Sequence, residues 1–559
     1  MFVYTFFEKL KNNTKLIRSA VATSIMFLIA YGYSYFNSSF VVDRFSWFDS
    51  GWNGGYYFKS GSYAVTGKWF NQYLGILNWT AYLPWLNGVL TILFAIIAVY
   101  YICLALKIER TLSIWLVAGL VATDASILWA HFFFPYVYTA ALFLICLSLW
   151  SWSNQSLPMV WRIILGAIAV CLSFGTYGSY TSVGLSVVVL CCMIMLLEGD
   201  SFKKVFNRGI EYFVTFVIGM VLYYVIMRLY LVVLDLEMIS YMGEDKLMNG
   251  VQPAEVLHYI DIAYKNSILR YIGDFRTEYR FTSGVSLCLV ILGIGLLVWL
   301  AYRGGLIHIK QKEFWLFIVL AGLFPLSVGS IYVMAFGVVH QLMTFSYVVF
   351  YIGLVKLVEM ALTQSVSEYG TTLDAVGQDT VVRTLCSNKF RYGILQTSIT
   401  LVLVLSAFLV YRGVVVSNMT FSRLDNLHEI SCGIVDRLVG RIEACDGFTA
   451  DETIYFVGDI TESDYFRYSR NHKSWELEIL DGNLCVNKDA SNSFIYPTQI
   501  REMIKENTNI RLDIEYYDED ADEPFTDSDK AVIDSMPEYP AAGSIRKIGE
   551  DAIVVCFAH

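Results

Sequence analysis

A chain of 559 residues with 56% hydrophobic and only 16% charged residues, and a mean hydropathy of +0.52, is not composed like a soluble enzyme. Its net charge of −10 is unevenly spread: from Val415 onward 29 acidic residues stand against 13 basic ones, so the rest of the chain is net basic. An acidic tail repels nucleic acid and anionic headgroups, which excludes a nucleic-acid partner.

The apolar residues come in runs, such as 90–103, 285–300 and 394–410, that are apolar nearly all round and so have no face to show to water. Each extends to about 20 residues, enough to span a hydrocarbon core of roughly 30 Å. The runs predict about eleven spans: 17–36, 85–106, 111–130, 136–152, 162–179, 182–198, 211–233, 282–302, 313–335, 341–361 and 392–411. The stretch Gly175-Thr176-Tyr177-Gly178-Ser179-Tyr180 reads either as a turn between two spans or as a re-entrant turn at membrane depth. The first run lacks a small-residue cleavage site and is followed by a polar, aromatic loop, so it reads as a signal anchor.

Alternate connections are rich in Lys and Arg: Lys9, Lys11, Lys15 and Arg18, then Lys107 and Arg110, then Lys203, Lys204 and Arg208, then Arg303, Lys310 and Lys312, then Arg383, Lys389 and Arg391. These connections are expected in the cytoplasm. The other side then carries the loops at about 37–84 and 234–281 and the C-terminus, and a short helix is expected around 253–270. The fold class is an all-α polytopic membrane bundle over 1–412 with a soluble extracytoplasmic α/β domain over 413–559. In the tail, 453–457, 510–516 and 551–557 read as strands and 500–506 as a helix, while the acidic run 518–529 reads as a solvated loop. Seven of the eleven cysteines lie in or beside spans and read as small apolar residues. Cys432, Cys445, Cys485 and Cys556 show no Cys-x-x-Cys spacing or His cluster, which argues against zinc, and one or two disulfides suit an oxidising exterior.

No Walker loop, no His-Glu-x-x-His and no Gly-x-Ser-x-Gly in context is present, which disfavours an ATP-driven pump. Asp43 and Asp49 lie just beyond the first span among aromatics. Either could serve a sugar hydroxyl as general base, although on position alone a solvated loop carboxylate is the default. Asp124, His131, Arg228 and His340 fall toward the outer leaflet, where ionisable groups tend to mark a site. Arg228 suits a lipid phosphate, with snorkelling to the interface an equal alternative. Lys356 and Glu359, one turn apart, read as a structural pair.

The segments Val42-Asp43-Arg44-Phe45-Ser46, Gly51-Trp52-Asn53-Gly54-Gly55 and Thr66-Gly67-Lys68-Trp69-Phe70 resemble the opening of the Gtr-type (type II) serotype-converting glucosyltransferases. There an acidic residue after the first span precedes an aromatic stretch and a Gly-Arg-Trp-like motif; Lys68 stands in place of the Arg. Leu172-Ser173-Phe174-Gly175-Thr176-Tyr177 is similar to a family Tyr-Gln motif whose Gln is missing here, and the tail adds Ile454-Tyr455-Phe456-Val457-Gly458 and Met536-Pro537-Glu538-Tyr539-Pro540.

The resemblance implies a glycosyltransferase of GT-C architecture. It would move a sugar, usually glucose, from undecaprenyl phosphate to a surface glycan such as O-antigen, outside the cytoplasmic membrane. On that reading Asp43 is the base of an inverting transfer, with Asp49 in support. Arg44, Lys59, Lys68 and Arg228 are then the donor-phosphate cations, and Trp52, Trp69, Tyr177 and His340 contact substrate. No cofactor is called for; a divalent metal is compatible with the chemistry but not required. The alternative is an exporter or flippase of a lipid-linked sugar or polysaccharide, against which stand the large outer domain and the lack of inverted pairs of broken spans.

Overall fold

The computed structural model describes residues 13–37, 65–78, 83–132, 134–238, 253–272, 280–308, 310–375, 381–458, 504, 512–517, 525–549 and 552–557. Two compact units result, with the division between Ser417 and Asn418.

The first unit is helical. In chain order it contains α1 (Thr14–Phe36), the short α2 (Asn71–Leu74), α3 (Pro84–Ala105), α4 (Thr111–Ala122), α5 (Ala125–Ala130), α6 (Pro135–Ser153), α7 (Met159–Tyr177) and α8 (Thr181–Leu197). It continues with α9 (Phe202–Leu234), α10 (Pro253–Ile272), α11 (Arg280–Arg303), α12 (Lys312–Val328), α13 (Ser330–Met334), α14 (Val348–Ala375) and α15 (Val381–Glu443), which runs on beyond the division. Among the described residues, eight stretches are long and apolar enough to cross a membrane.

Three local features separate that number from the expected eleven. The third expected span is broken where Asp124 leaves the helix and its carboxylate accepts from Ser126 N at 2.8 Å, capping α5. The ninth is broken at Gly329, one turn after Pro325 inside α12. The fifth and sixth, α7 and α8, join through the 3-10 turn Gly178–Tyr180 into one apolar stretch of 39 residues. The expected helix around 253–270 is α10.

Close approach of backbones holds the bundle together where hydrophobic burial alone gives no preference for protein over lipid. Gly88 of α3 lies under Tyr35 of α1, so near that a Cβ would come within 2.6 Å of the ring. Tyr31 donates to Ala122 O at 2.8 Å, tying α1 to the end of α4. Outward-facing residues of α9 such as Phe213, Val221 and Val232 are exposed apolar groups, as a lipid-facing surface requires.

One end of the bundle is basic and paired. Glu211, buried, takes Arg162 at 2.7 Å and Arg208 at 2.8 Å. Lys356 and Glu359 do not pair with each other as expected but grip the turn before α4. Lys356 Nζ donates to Lys107 O (3.0 Å), while Glu359 accepts from the backbone N–H groups of Glu109 (3.2 Å) and Arg110 (2.7 Å).

The second unit is α/β. Strands β1 (Thr453–Val457), β2 (Asp513–Tyr516), β3 (Ile545–Ile548) and β4 (Ala552–Cys556) form a sheet in the order β2-β1-β4-β3. β1 runs parallel to β2 and β4, and β3 antiparallel to β4. Both faces are covered, which explains why β1 and β4 are apolar without alternation. Ile454, Phe456, Ile553 and Val555 pack with Val435, Leu438 and Ile442 of α15 on one face. Tyr455, Val457, Val554 and Cys556 pack with Ile533 of α16 (Asp527–Asp534) and Met536 on the other. β3 and α16 are additional to the sequence-based expectation; of the expected helix 500–506 only Ile504 is described. No disulfide joins any two of Cys432, Cys445 and Cys556, and Cys485 lies outside the described residues.

Candidate functional site

Asp43, Arg44, Asp49, Trp52 and Lys59 lie outside the described residues. Lys68, Trp69, Tyr177, Arg228 and His340 lie within them, and the first three meet at the end of the bundle opposite the basic one.

The segment 65–78 is held there by its backbone. Gly67, at φ +76, turns the chain so that its carbonyl accepts from Tyr223 of α9 (3.1 Å), and Phe70 N donates to Gly175 O near the end of α7 (2.8 Å). Between these anchors Trp69 is buried, its indole stacked on Tyr230 with centroids 5.7 Å apart. Its edge faces Gly175, where an added Cβ would come within 2.7 Å of the indole, so only glycine admits this contact. The preceding residue, Lys68, is half-buried and sets its ammonium 5.4 Å from the centre of the Tyr177 ring. Tyr177 in turn meets Tyr138 edge-on at 4.9 Å and adopts extended backbone angles that end α7. The break after Tyr177 thus presents the ring over which Lys68 sits.

Polar atoms in this junction outnumber their protein partners. Trp69 Nε1, Asn71 Oδ1 and Ser179 Oγ are buried and have no hydrogen-bond partner among the described residues. An unsatisfied buried group of this kind costs about 1–3 kcal/mol, and sites of recognition are where such groups are retained.

A second group adjoins the first through Tyr180, whose ring lies 6.0 Å from that of Tyr177. Ser126 Oγ donates to Leu342 O at 2.9 Å and stands 3.5 Å from Tyr180 Oη. His340 accepts at Nδ1 from Leu342 N (3.2 Å) and receives the edge of Trp129 at 4.6 Å. Arg270 of α10 donates to the side-chain oxygen of Gln341 (3.3 Å) and lies 5.7 Å from the Tyr347 ring. His340 therefore borders the junction by way of its neighbours.

Arg228 does not join it. Two positions from Tyr230, it sits on the opposite face of α9, exposed, with Nε bonded to Tyr224 Oη (3.2 Å). His131 is a core residue: its ring stacks on Tyr31 at 3.6 Å, Nε2 lies 3.0 Å from Tyr35 Oη and Nδ1 2.7 Å from Ile127 O. Sequence reasoning passed over Asn71, Ser179, Trp129, Tyr230 and Arg270. Asn71 and Ser179 gave a signal, being polar residues within or next to the two motifs that carry Lys68 and Tyr177. Among the described residues there is no group of three His, Cys, Asp or Glu side chains placed to hold a metal.

A search of curated proteins finds no match. The family model for Glucosyl transferase GtrII matches residues 32–357, more than half of the chain, from the end of α1 into α14. The matched range contains Lys68, Trp69, Tyr177, Arg228 and His340.

Proposed function

This chain belongs to the GtrII glucosyl transferase family, and from that premise we propose that it transfers glucose from an undecaprenyl-phosphate-linked donor to a cell-surface glycan outside the cytoplasmic membrane. The observation that supports this reading is the Lys68–Tyr177 junction. A cation at 5.4 Å from a tyrosine ring offers what a sugar phosphate needs: charge for the phosphate and an aromatic wall.

In the proposed step the acceptor hydroxyl oxygen forms a bond to the anomeric carbon from the face opposite the phosphate, so configuration inverts. The carbon–oxygen bond to the phosphate breaks, and its electron pair stays on the departing lipid phosphate. The hydroxyl proton passes to the Asp43 carboxylate. Lys68, with Arg44 and Lys59 from the same loop, balances the charge that grows on the leaving group, so no general acid is required. Trp52, Trp69, Tyr177 and His340 are assigned to substrate contact. Arg228, exposed on α9, is assigned to the lipid phosphate before it enters. The Lys/Arg bias of the connections assigns this end of the bundle to the outside.

The experiment is substitution at the two carboxylates. Asp43→Asn keeps volume and removes the proton acceptor, so transfer falls by about 10² or more, while Asp49→Asn costs less. An inactive, well-expressed Asp49→Asn beside a near-normal Asp43→Asn would reverse the assignment, and activity in both would contradict the mechanism.

A further inference from the structure

At the basic end of the helical unit, away from the junction, the ends of α3, α6 and α8 and the start of α9 enclose a cavity of about 100 Å³. Lys107, Trp152, Gln155, Asp200, Lys204 and Arg208 supply its polar lining, over apolar side chains from the last turns of α8. We infer that this cavity binds a phosphate group, carried by an anionic phospholipid headgroup or free in solution. The inference does not depend on the sugar-transfer reading.

The lining is rich in donors. Arg208 is only 12% exposed; its guanidinium lies 4.5 Å over the Trp152 ring, Nη1 bonds Glu211 at 2.8 Å and Nη2 bonds Trp152 O. Its Nε has no hydrogen bond among the described residues. Lys107 and Lys204 each give one N–H, to Glu198 and Asp200 at 2.6 Å, and keep two more apiece. With Arg162 and Lys356 bonded nearby, five cations stand against the four carboxylates Glu198, Asp200, Glu211 and Glu359. Arg208, buried against an indole and held by a carboxylate and a carbonyl, is a fixed donor of the kind that recognises phosphate.

Backbone conformation points the same way. Lys107 has φ +53, a left-handed position that glycine takes without strain. This is the left-handed C-terminal cap of α3, closed by Ile108 N donating to Cys103 O at 2.8 Å, and it sets the Lys107 side chain at the mouth of the cavity. Phe206 and Ile210, exposed on the following turns of α9, set the cavity beside the lipid-facing surface, within reach of a headgroup.

The test is native mass spectrometry of the purified full chain with phosphatidylglycerol, phosphatidylcholine and inorganic phosphate. Phosphatidylglycerol should be retained over phosphatidylcholine, and Lys107→Gln with Lys204→Gln should lower retention by about tenfold or more, as two charge-assisted hydrogen bonds are lost. Both lysines are more than half exposed, so folding is spared. Lys107→Gly is the second variant: it relieves the left-handed strain and should melt no lower than wild type, yet bind more weakly. Retention that resists inorganic phosphate assigns the site to the lipid, and displacement by phosphate assigns it to the free ion. Equal retention of both lipids with no phosphate adduct, or unchanged binding in the double variant, would overturn the inference.

Discussion

Lys68 stands where the similar family motif carries Arg, and this makes it a sharp single-residue test. Lys68→Ala removes the cation over Tyr177 and should reduce use of the donor by about tenfold or more with expression unchanged. Lys68→Arg keeps charge and stacking and should retain most transfer; loss in both variants would indicate that the position matters for packing rather than charge. Gly175 tests the geometry itself. Gly175→Ala drives a methyl against the Trp69 indole and should destabilise the bundle by about 1–3 kcal/mol, and adding Trp69→Phe should relieve part of that cost. Strictly additive losses in thermal melts would contradict the contact. The sequence made Lys68, Trp69 and Tyr177 stand out by motif, yet that they meet was hidden, because more than a hundred residues separate the two motifs, and the contacts that join them (Phe70 N to Gly175 O, Trp69 on Gly175 and Lys68 over Tyr177) exist only once the chain is folded. Arg228 shows the converse: an intramembrane cation is conspicuous in sequence, while the face of the helix it occupies depends on which side packs.

At the scale of elements, long apolar runs were legible because a helix without a polar face has nowhere else to go, whereas breaks inside them were not. Asp124 as a cap looks in sequence like one more buried ionisable residue, and Gly329 like any small residue in a span. In the tail, β1 and β4 were readable as buried strands. β3 was not, since Ile545-Arg546-Lys547-Ile548 carries the charges of an edge strand. The acidic run 518–529 reads as a solvated loop, yet its last residues open α16, where Thr526 and Asp529 form a capping box. The edge strand is secured by Lys547, which bonds Gly447 O (3.0 Å) and the carboxylate of Glu452. The Lys547 ammonium, then the Thr449 N–H, hold the buried Glu452 carboxyl below the usual carboxylate range. A depressed native pKa adds stability above the unfolded value of about 4.3, and that contribution is lost as pH falls through the native value. Glu452→Gln should therefore melt below wild type at neutral pH, with the difference closing as pH drops under about 4. A gap that does not vary with pH would show that the ion pair contributes nothing.

Over the whole molecule, the ion-paired end that holds Arg162, Arg208, Glu211 and Lys356 is the one that the Lys/Arg bias expects in the cytoplasm. A reporter active only in the cytoplasm, fused after His559, should accordingly be silent, and strong activity there would overturn the topology. On the proposed function the acidic tail is expected to serve the acceptor, because a domain of that charge has no attraction for a phosphate donor. Deletion after Ser417 should abolish glycan modification while donor binding stays measurable; equal loss of both would contradict the division of labour. The central claim is sugar transfer rather than transport, and the most direct measurement is made on purified protein in detergent with a polyprenyl-phosphate-linked glucose and the acceptor glycan, without ATP or any gradient. The account predicts glucose on the glycan in proportion to lipid phosphate released. Absence of transfer in detergent, with intact lipid-linked sugar moved across the membrane by the same protein in vesicles, would contradict it.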